Sequence, residues 1–444
     1  MMDLRDYLDI VKAAGEIGVV GSSVSPVYEI AAVTAKADGG KAVLFENVKD
    51  SRFRLVSNLV GTRSRFAMAL GSTPASIHDD VTRLIDKAEK PAMTAQGKFM
   101  ENSTKDASAL PIVTHFEKEP GPFITSSIIY AGSTKMGQNS SFHRMMPIGG
   151  SRFSVRMVEG RHLHRLFLDA KARGEDLRAA VTIGVHPAVS IAGAYQAELG
   201  FDEMHIANAF LGGGLTVAKC PYSAVAVPSG AEIVMDGRFL QDEMHEEWMV
   251  EMLRTYDHKR KQPIFEADRM YYRNDPIFHD ILSGFSEHRL LMGMPIESKL
   301  NYQLKEKFPQ VRGASMTSGG CDWLHAVIQI RKETETQTRS IIDAALKIHR
   351  SLKQVTIVDE DIDVNSADAV EYAMATRFQA DKDLVIVSNV RGSSLDPSSD
   401  QENLRTAKMG IDATIPLAKR PEGFEIAQIP GLEEIVLEDY LDQA

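Results

Sequence analysis

The sequence predicts an α/β protein of the α+β multidomain kind, with two α/β units flanking a β-rich centre. Three observations predict it. The chain has 444 residues, more than one ordinary core organises. Its composition is that of a globular protein, 43% hydrophobic and 25% charged. The texture of its apolar runs also changes twice along its length.

The first unit, residues 1–105, alternates helix and strand. "MMDLRDYLDIVKAAGEIG" reads as an amphipathic helix capped by Asp3, with Leu4, Tyr7, Leu8 and Val11 on one face. It is too charged for a signal peptide. "KAVLFENV" and "FRLVSNLVG" follow as strands, then "SRFAMALGS" and "STPASIHDDVTRLIDKAEK" as helices. The polar stretch "ENSTKDASALP" marks the first boundary. Residues 106–295 hold dense short strand signals, "ITSSIIYAG", "RFSVRMV", "AAVTIGV", "LTVAKC", "AVAVP" and "AEIVMDG", interrupted by the helix "HLHRLFLDAKARGE". Such density predicts an open or barrel-like sheet. Residues 296–444 return to strand–helix–strand order, which favours a parallel sheet with crossovers. The closing "GLEEIVLEDYLDQA" reads as a helix.

Composition narrows function. Lys and Arg number 50 against 61 Asp and Glu, a formal charge of −11, which argues against a general nucleic-acid binder. No run approaches the roughly 18–20 apolar residues of a membrane span. Cys220 and Cys321 form no CxxC pair, which suits a reducing, cytoplasmic setting. Against this acidic background, "GQNSSFHRMMPIGGSRFSVRMVEGRHLHR" (137–165) is a local excess of His and Arg.

Several motifs have bland readings. "DEDIDV" lacks the Gly and Glu of a calcium loop and reads as an acidic turn before a helix capped by Asn365 or Ser366. "FLGGGLTV" lacks phosphate-loop spacing and suits close packing. Cys321 and His325 read as structural. "DEMHEEWMVEM" (242–252) is by default a solvated helix face. However, Glu246 and Glu251 flank "EWMV", and burial beside Trp248 or Met249 would raise a carboxyl pKa and keep a proton for general-acid work. Asn139, His162 and Glu203 together offer donors suited to Mn²⁺ or Mg²⁺.

These residues resemble the UbiD family of decarboxylases, which use prenylated FMN. The resemblance runs from about residue 40 to the end, through "NSSFHR", "RHLHR", "DEMHIANAFLGGGLTVAKC", "VPSGAEIVMDG", "VTIVDEDIDVNSADAVEYAMATRFQADKD" and "SSLDP" in order. It implies a central split β-barrel that binds the flavin and subunits joined partly through the C-terminal helix, as a dimer or hexamer. Asn139, His162 and Glu203 are implied as metal ligands, with K⁺ as a further cation. Ser141, Phe142, His143, Arg144, Arg161, His162 and Lys347 are implied around the cofactor, with Lys353 as the alternative to Lys347. The family's "EGPFGE" is absent, and "EEWMVE" stands in its place, which carries the two carboxylates over to Glu246 and Glu251, with Glu247 the rival to Glu246.

The implied activity is non-oxidative loss of CO₂ from an α,β-unsaturated acid. The electron pair left behind is taken up by the cofactor, which a prenyl-flavin synthase supplies. Arg144, paired with Glu246, would orient the substrate carboxylate, and Glu251 would return the proton. "NSSFHRMMPIGGSRFSVRMVEGRHLHRL" is similar to the archaeal branch, which implies trans-anhydromevalonate 5-phosphate as substrate and isopentenyl phosphate as product. The excess of His143, Arg152, Arg156 and Arg161 would then meet the substrate phosphate. An aromatic or heteroaromatic acid is the alternative within the family, and a flavin-phosphate-binding protein without turnover is the alternative outside enzymes.

Overall fold

The capping expected at the N-terminus forms. In the computed structural model, which describes residues 2–419 and 421–441, α1 (Leu4–Ala13) starts at Asp3, whose carboxylate accepts the Arg5 and Asp6 backbone N–H groups. The Asp6 carboxylate returns the bond to the Asp3 N–H, a capping box. Leu4, Tyr7, Leu8 and Val11 are the buried stripe. β1 (Ile17–Val24), α2 (Glu29–Lys36), β2 (Ala42–Val48), β3 (Arg54–Ser57), α3 (Arg63–Ala69) and α4 (Ile77–Ile85) complete the first unit. Its sheet runs β1-β2-β3 and gains a fourth strand from a distant segment, described next.

The centre contains β4 (Ala92–Thr94), β5 (Asn102–Thr104), β6 (Ile128–Ser133), β7 (Gly137–Phe142), β8 (Met145–Gly149) and β9 (Arg152–Val155). Then come α5 (His162–Ala172), β10 (Leu177–Ile183), α6 (Pro187–Ala194), α7 (Glu203–Phe210), β11 (Thr216–Lys219), β12 (Ala226–Pro228), β13 (Ile233–Glu247), β14 (Arg260–Tyr272) and β15 (Ile277–Asp280). β15 is the strand that joins β3 in parallel. The main sheet runs β7-β6-β10-β13-β14-β9-β8, with β5 also on β14.

Its middle strands are buried on both faces, and side chains sort by parity. Ile128, Tyr130, Ala180 and Val234 enter one core, with α1, α3, α6 and α7. Ile129, Ala131, Ala179, Val181, Ile233 and Met235 enter the other, with α2 and α5. That two-sided burial is why these strands read as continuous apolar runs. Gly237 lies at a bulge, where a Cβ would come within 2.0 Å of the Glu266 carbonyl oxygen. No ladder closes the sheet among the described residues. Its edge strands, β7 and β8, are nevertheless consecutive in sequence and joined only through His143 and Arg144. The sheet is therefore an open barrel, and Arg144 sits at its split.

The last unit holds α8 (Ser286–Lys307), β16 (Val311–Met316), β17 (His325–Ile330), α9 (Gln337–Ile348), β18 (Gln354–Asp359), α10 (Ala367–Arg377), β19 (Leu384–Arg391) and β20 (Arg405–Ala413). Three expectations change here. The sheet β16-β17-β18-β20-β19 is mixed: the inner ladders are parallel and both outer ones antiparallel. The boundary expected after Pro295 falls inside the continuous helix α8. The closing segment forms only short 3-10 turns at Leu432–Glu434 and Leu437–Asp439. Leu432, Ile435, Val436, Leu437, Tyr440 and Leu441 are all exposed there, and a short helix without a packing partner is marginal in water. Residues 442–444 of that expected helix lie outside the described residues. The acidic turn at Asp359–Asp363 leads to α10 as expected, with Ser366 accepting the Ala369 N–H.

Candidate active site

β7 is an edge strand, so helices can reach it from either side, and α5 and α7 both pack on it. From α7 comes Glu203, 2% exposed. It accepts from Asn139 Nδ2 at 3.0 Å and from the Ser140 backbone N–H at 2.7 Å. Burial pushes its carboxyl up to about 7, although the bond from Ser140 opposes this. Beside it the Ser140 hydroxyl is buried and has no hydrogen-bond partner among the described residues. Ser141 Oγ lies 2.9 Å from both Asn139 Oδ1 and His143 Nε2. His143 Nδ1 donates to the Arg156 carbonyl at 2.8 Å, and burial drops this imidazole to about 4. Phe142, the last residue of β7, packs against the first core.

α5 contributes His162 at its first position, with Arg161 as its cap. Burial, then Arg165 and Arg161, lower the His162 pKa and favour the neutral form that a metal needs. His162 makes no hydrogen bond to Asn139 or Glu203, so two of the three expected ligands are in contact. Arg161 is exposed, 3.4 Å from Gln196 Oε1. Lys347 lies exposed on the last turn of α9, whereas Lys353 is bound to Asp396 at 2.7 Å and to Ser398.

The donor types are those a divalent ion takes, a buried carboxylate, an Asn amide and an imidazole kept neutral, although Asn139 turns Nδ2 and not Oδ1 to Glu203 and His162 bonds to neither. An unpartnered hydroxyl beside them and the N-terminus of α5 suit the phosphate that such an ion would screen.

At the split of the barrel, Arg144 grips three carboxylates. Its Nε and Nη2 hold Glu247 in a fork, both at 2.9 Å; Nη1 meets Glu251 at 2.8 Å and Nη2 meets Asp257 at 3.0 Å. This corrects the expected pairing with Glu246. Adjacent strand residues point to opposite faces. At the end of β13 Glu247 is therefore buried against Arg144, while Glu246 is exposed. The five-residue spacing misleads because the alternation of the strand, not the distance to Glu251, decides which glutamate faces Arg144. After a register shift between Leu240 and Met244 that residue is Glu247. The run is thus a strand end and turn rather than a helix face.

Residues 249–257 form a tight turn that brings Glu251 and Asp257 together. Asp257 N donates to Met249 O at 2.9 Å, Glu251 N to Thr255 O at 2.8 Å, and Arg254 N to Glu251 O at 2.9 Å. Glu119 Oε1 accepts the Val250 N–H at 3.1 Å, and Trp248 Nε1 donates to Lys118 O at 2.7 Å. Met249 packs with Phe123 and Met146, and Met252 with Ile296 and Trp323. Trp248 and Met249 thus brace the turn. Gly284, at φ +77°, seats it from below: a Cβ there would lie 2.3 Å from Arg254 Cγ and 3.2 Å from Glu251 O.

Burial raises the Glu251 pKa against the pull of Arg144, and the Asp257 charge and hydrogen bond add to the rise. Asp257 moves the other way: its bond with Glu251 and the charges of Arg144 and Arg260 outweigh burial and hold it ionised. Arg260 pairs directly with Asp257, whereas Arg156 Nε is 3.9 Å from it. Arg152 is engaged by Glu243. The resemblance offered Glu247 only as a rival, and nothing in the local pattern marks Asp257.

The fold and the order of domains match those of known proteins. Residues 8–85, 86–286 and 289–413 match the N-terminal, Rift-related and C-terminal domains of 3-octaprenyl-4-hydroxybenzoate carboxy-lyase. The anhydromevalonate phosphate decarboxylase of Methanothermobacter thermautotrophicus is 39% identical over 420 residues, 94% of this chain and 97% of the relative. That of Methanocaldococcus jannaschii is 43% identical over 333 residues, 75% of this chain and 78% of the relative. The UbiD-class enzyme HmfF from Pelotomaculum thermopropionicum, solved in complex with FMN, superposes with a TM-score of 0.96 at 36% identity, covering 99% of this chain and 100% of that one. An evolved dimeric form of HmfF, in complex with prFMN, gives 0.92 at 34% identity, again over 99% and 100%. The chain belongs to the UbiD family of carboxy-lyases.

Proposed function

We propose that this chain decarboxylates trans-anhydromevalonate 5-phosphate to isopentenyl phosphate with prenylated FMN as cofactor. The observation that carries the chemistry is one arginine shared by three carboxylates, Glu247 buried and Glu251 and Asp257 half-buried, an arrangement in which the Glu251 carboxyl is raised and so favours keeping its proton. The names of the archaeal relatives support the substrate. Asn139, His162 and Glu203 would hold Mn²⁺ or Mg²⁺ against the flavin phosphate, with K⁺ as a further cation. When bound, the prenylated flavin supplies the electron sink that a vinyl-type carbanion lacks.

The chain's own groups do the rest. Arg144 fixes Glu247 and Glu251 in one plane, and Glu251 delivers its proton to the carbon that has lost CO₂. Of the cations expected at a substrate phosphate, Arg152 is spent on Glu243, His143 is neutral, and Arg161 is exposed. Arg156 remains. Its pKa is lowered by burial and by Arg260 and Arg144, so an added anion there would be welcome. Supply of the cofactor by a prenyl-flavin synthase belongs to the same reading. So do self-association through the exposed apolar tail, Leu432 to Leu441, and a cytoplasmic setting, supported by two free cysteines. Among the described residues no helix is long and apolar enough to cross a membrane.

The test is CO₂ release by the reconstituted protein offered anhydromevalonate phosphate, its dephosphorylated form, and cinnamic, hydroxybenzoic and pyrrole carboxylic acids. The phosphorylated acid should be preferred by at least about tenfold, the loss expected from one or two charge-assisted hydrogen bonds. Preference for an aromatic acid would overturn the substrate assignment, and no release from any acid would overturn the activity.

A further inference from the structure

We propose that Asp257 is a positioning residue that shares the catalytic proton with Glu251, setting the pH at which that proton is available. The inference deepens the decarboxylase reading and uses its proton donor, but rests on geometry that does not depend on the substrate.

Asp257 is placed opposite Glu251 by the turn itself: the Asp257 N–H donates to Met249 O, and Val250 and Tyr256 form an antiparallel bridge between them. The turn sets the two carboxylates side by side, Glu251 on Arg144 Nη1 and Asp257 on Nη2. Two carboxylates crowded onto one guanidinium repel each other, which favours a proton on one of them. Arg144 reaches both, at 2.8 and 3.0 Å, so both acceptors are fixed on one rigid fork. Arg260 adds a direct bond to Asp257 and none to Glu251. This asymmetry decides the proton's address: the carboxylate with two arginines stays ionised, and the one with a single arginine bond keeps the hydrogen.

The balance of the step follows. The Glu251 O–H breaks as a C–H bond forms at the substrate carbon, which leaves Glu251 as carboxylate. Glu247, Glu251 and Asp257 then face Arg144, Arg156 and Arg260, three charges of each sign, and water returns the proton. Asp257 therefore makes the protonated Glu251 stable before the step and makes its recharging favourable afterwards. The other titratable neighbours leave this arrangement in place. His288 of α8, dropped to about 4 by burial, Arg144 and Arg289, accepts the Gly284 N–H and is neutral. His143 is likewise neutral. Glu119 is raised by burial and bonds backbone N–H groups at Phe116 and Val250.

The experiment compares wild type, Asp257→Asn, Asp257→Glu and Glu251→Gln. The alkaline limb of kcat against pH reports loss of the Glu251 proton. In Asp257→Asn it should move to lower pH by about one unit, since a like charge and an acceptor are removed. Flavin absorbance should stay at the wild-type level, and Asp257→Glu should restore most of the shift. Infrared difference spectra give a readout independent of turnover. The protonated-carboxyl stretch should vanish in Glu251→Gln, and its titration midpoint should fall in Asp257→Asn. An unmoved limb in Asp257→Asn overturns the proposal. So does a wild-type spectrum without a carboxyl band that Glu251→Gln removes, and that comparison stands even if Asp257→Asn fails to fold. If decarboxylation of every acid fails while the band behaves as described, the decarboxylase reading falls and the shared proton survives.

Discussion

Two arginines, Arg144 and Arg63, face carboxylates in opposite proportions. Arg144 serves Glu247, Glu251 and Asp257. Arg63 of α3 serves only Glu297 of α8, through bonds of 2.5 and 2.7 Å, and Glu297 also takes His78 Nε2 at 2.9 Å and the Met316 N–H at 2.7 Å. At both sites burial pushes the carboxylate upward. At Glu297 the bonds from Arg63 and His78 outweigh burial and push the carboxyl down to about 2. At Glu251 a shared arginine and a neighbouring Asp257 leave it raised. The ratio of positive to negative charge, not burial, decides whether a buried acid is a strut between regions or a store of protons.

The largest effect that would break this contrast is at Arg144. Arg144→Met strands three carboxylates without their common partner. It should abolish turnover and cost about 3–5 kcal/mol of stability, read by thermal melting and CO₂ release. Wild-type melting would mean that the cluster is held by something other than charge. Next is Glu251→Gln, which keeps shape and loses the proton: kcat should fall on the order of 10²–10⁴-fold with flavin binding intact. A fall below threefold would move the acid to another residue.

Glu297→Gln probes the strut. A carboxyl lowered from 4.5 to about 2 corresponds to about 3 kcal/mol. Because the folded value lies below the unfolded one, this stabilisation is complete above pH 4.5 and is lost as pH falls to about 2. The wild type and variant should therefore differ most at neutral pH and converge in acid, as urea melts at several pH values would reveal. Parallel curves would make Glu297 a packing residue. The smallest effect belongs to Glu246→Gln. An exposed side chain on the far face of the strand should leave kcat within about twofold of wild type; a large loss would restore the five-residue spacing.

Legibility in the sequence follows the range of the interaction. The opening helix is readable to the residue, since capping by Asp3 and the Leu4, Tyr7, Leu8, Val11 stripe are local. The strands of the centre are readable as runs, but the choice between Glu246 and Glu247 depends on a register shift set by pairing with β14. Asp257 and the Arg63–Glu297 bond are invisible locally, because Arg144 lies 113 residues from one and Arg63 lies 234 from the other. The contact of Asn139 with Glu203 spans 64 residues; donor chemistry and family resemblance group the two, but spacing does not. The tail misleads for another reason: its apolar period is helical, but among the described residues no neighbour covers it.

Gly284 gives the turn that carries the acid a seat with no clearance. In engineering terms it is a shim of zero thickness. A residue with no chemical role sets the height of the turn that carries Glu251, and one added methyl group would push against Arg254 and the Glu251 carbonyl. Redesign of this pocket for new acids should therefore treat position 284 as part of the tooling and keep it fixed. An Ala there should lower turnover without touching any group that handles substrate, a loss that a search confined to the pocket walls would be unable to trace.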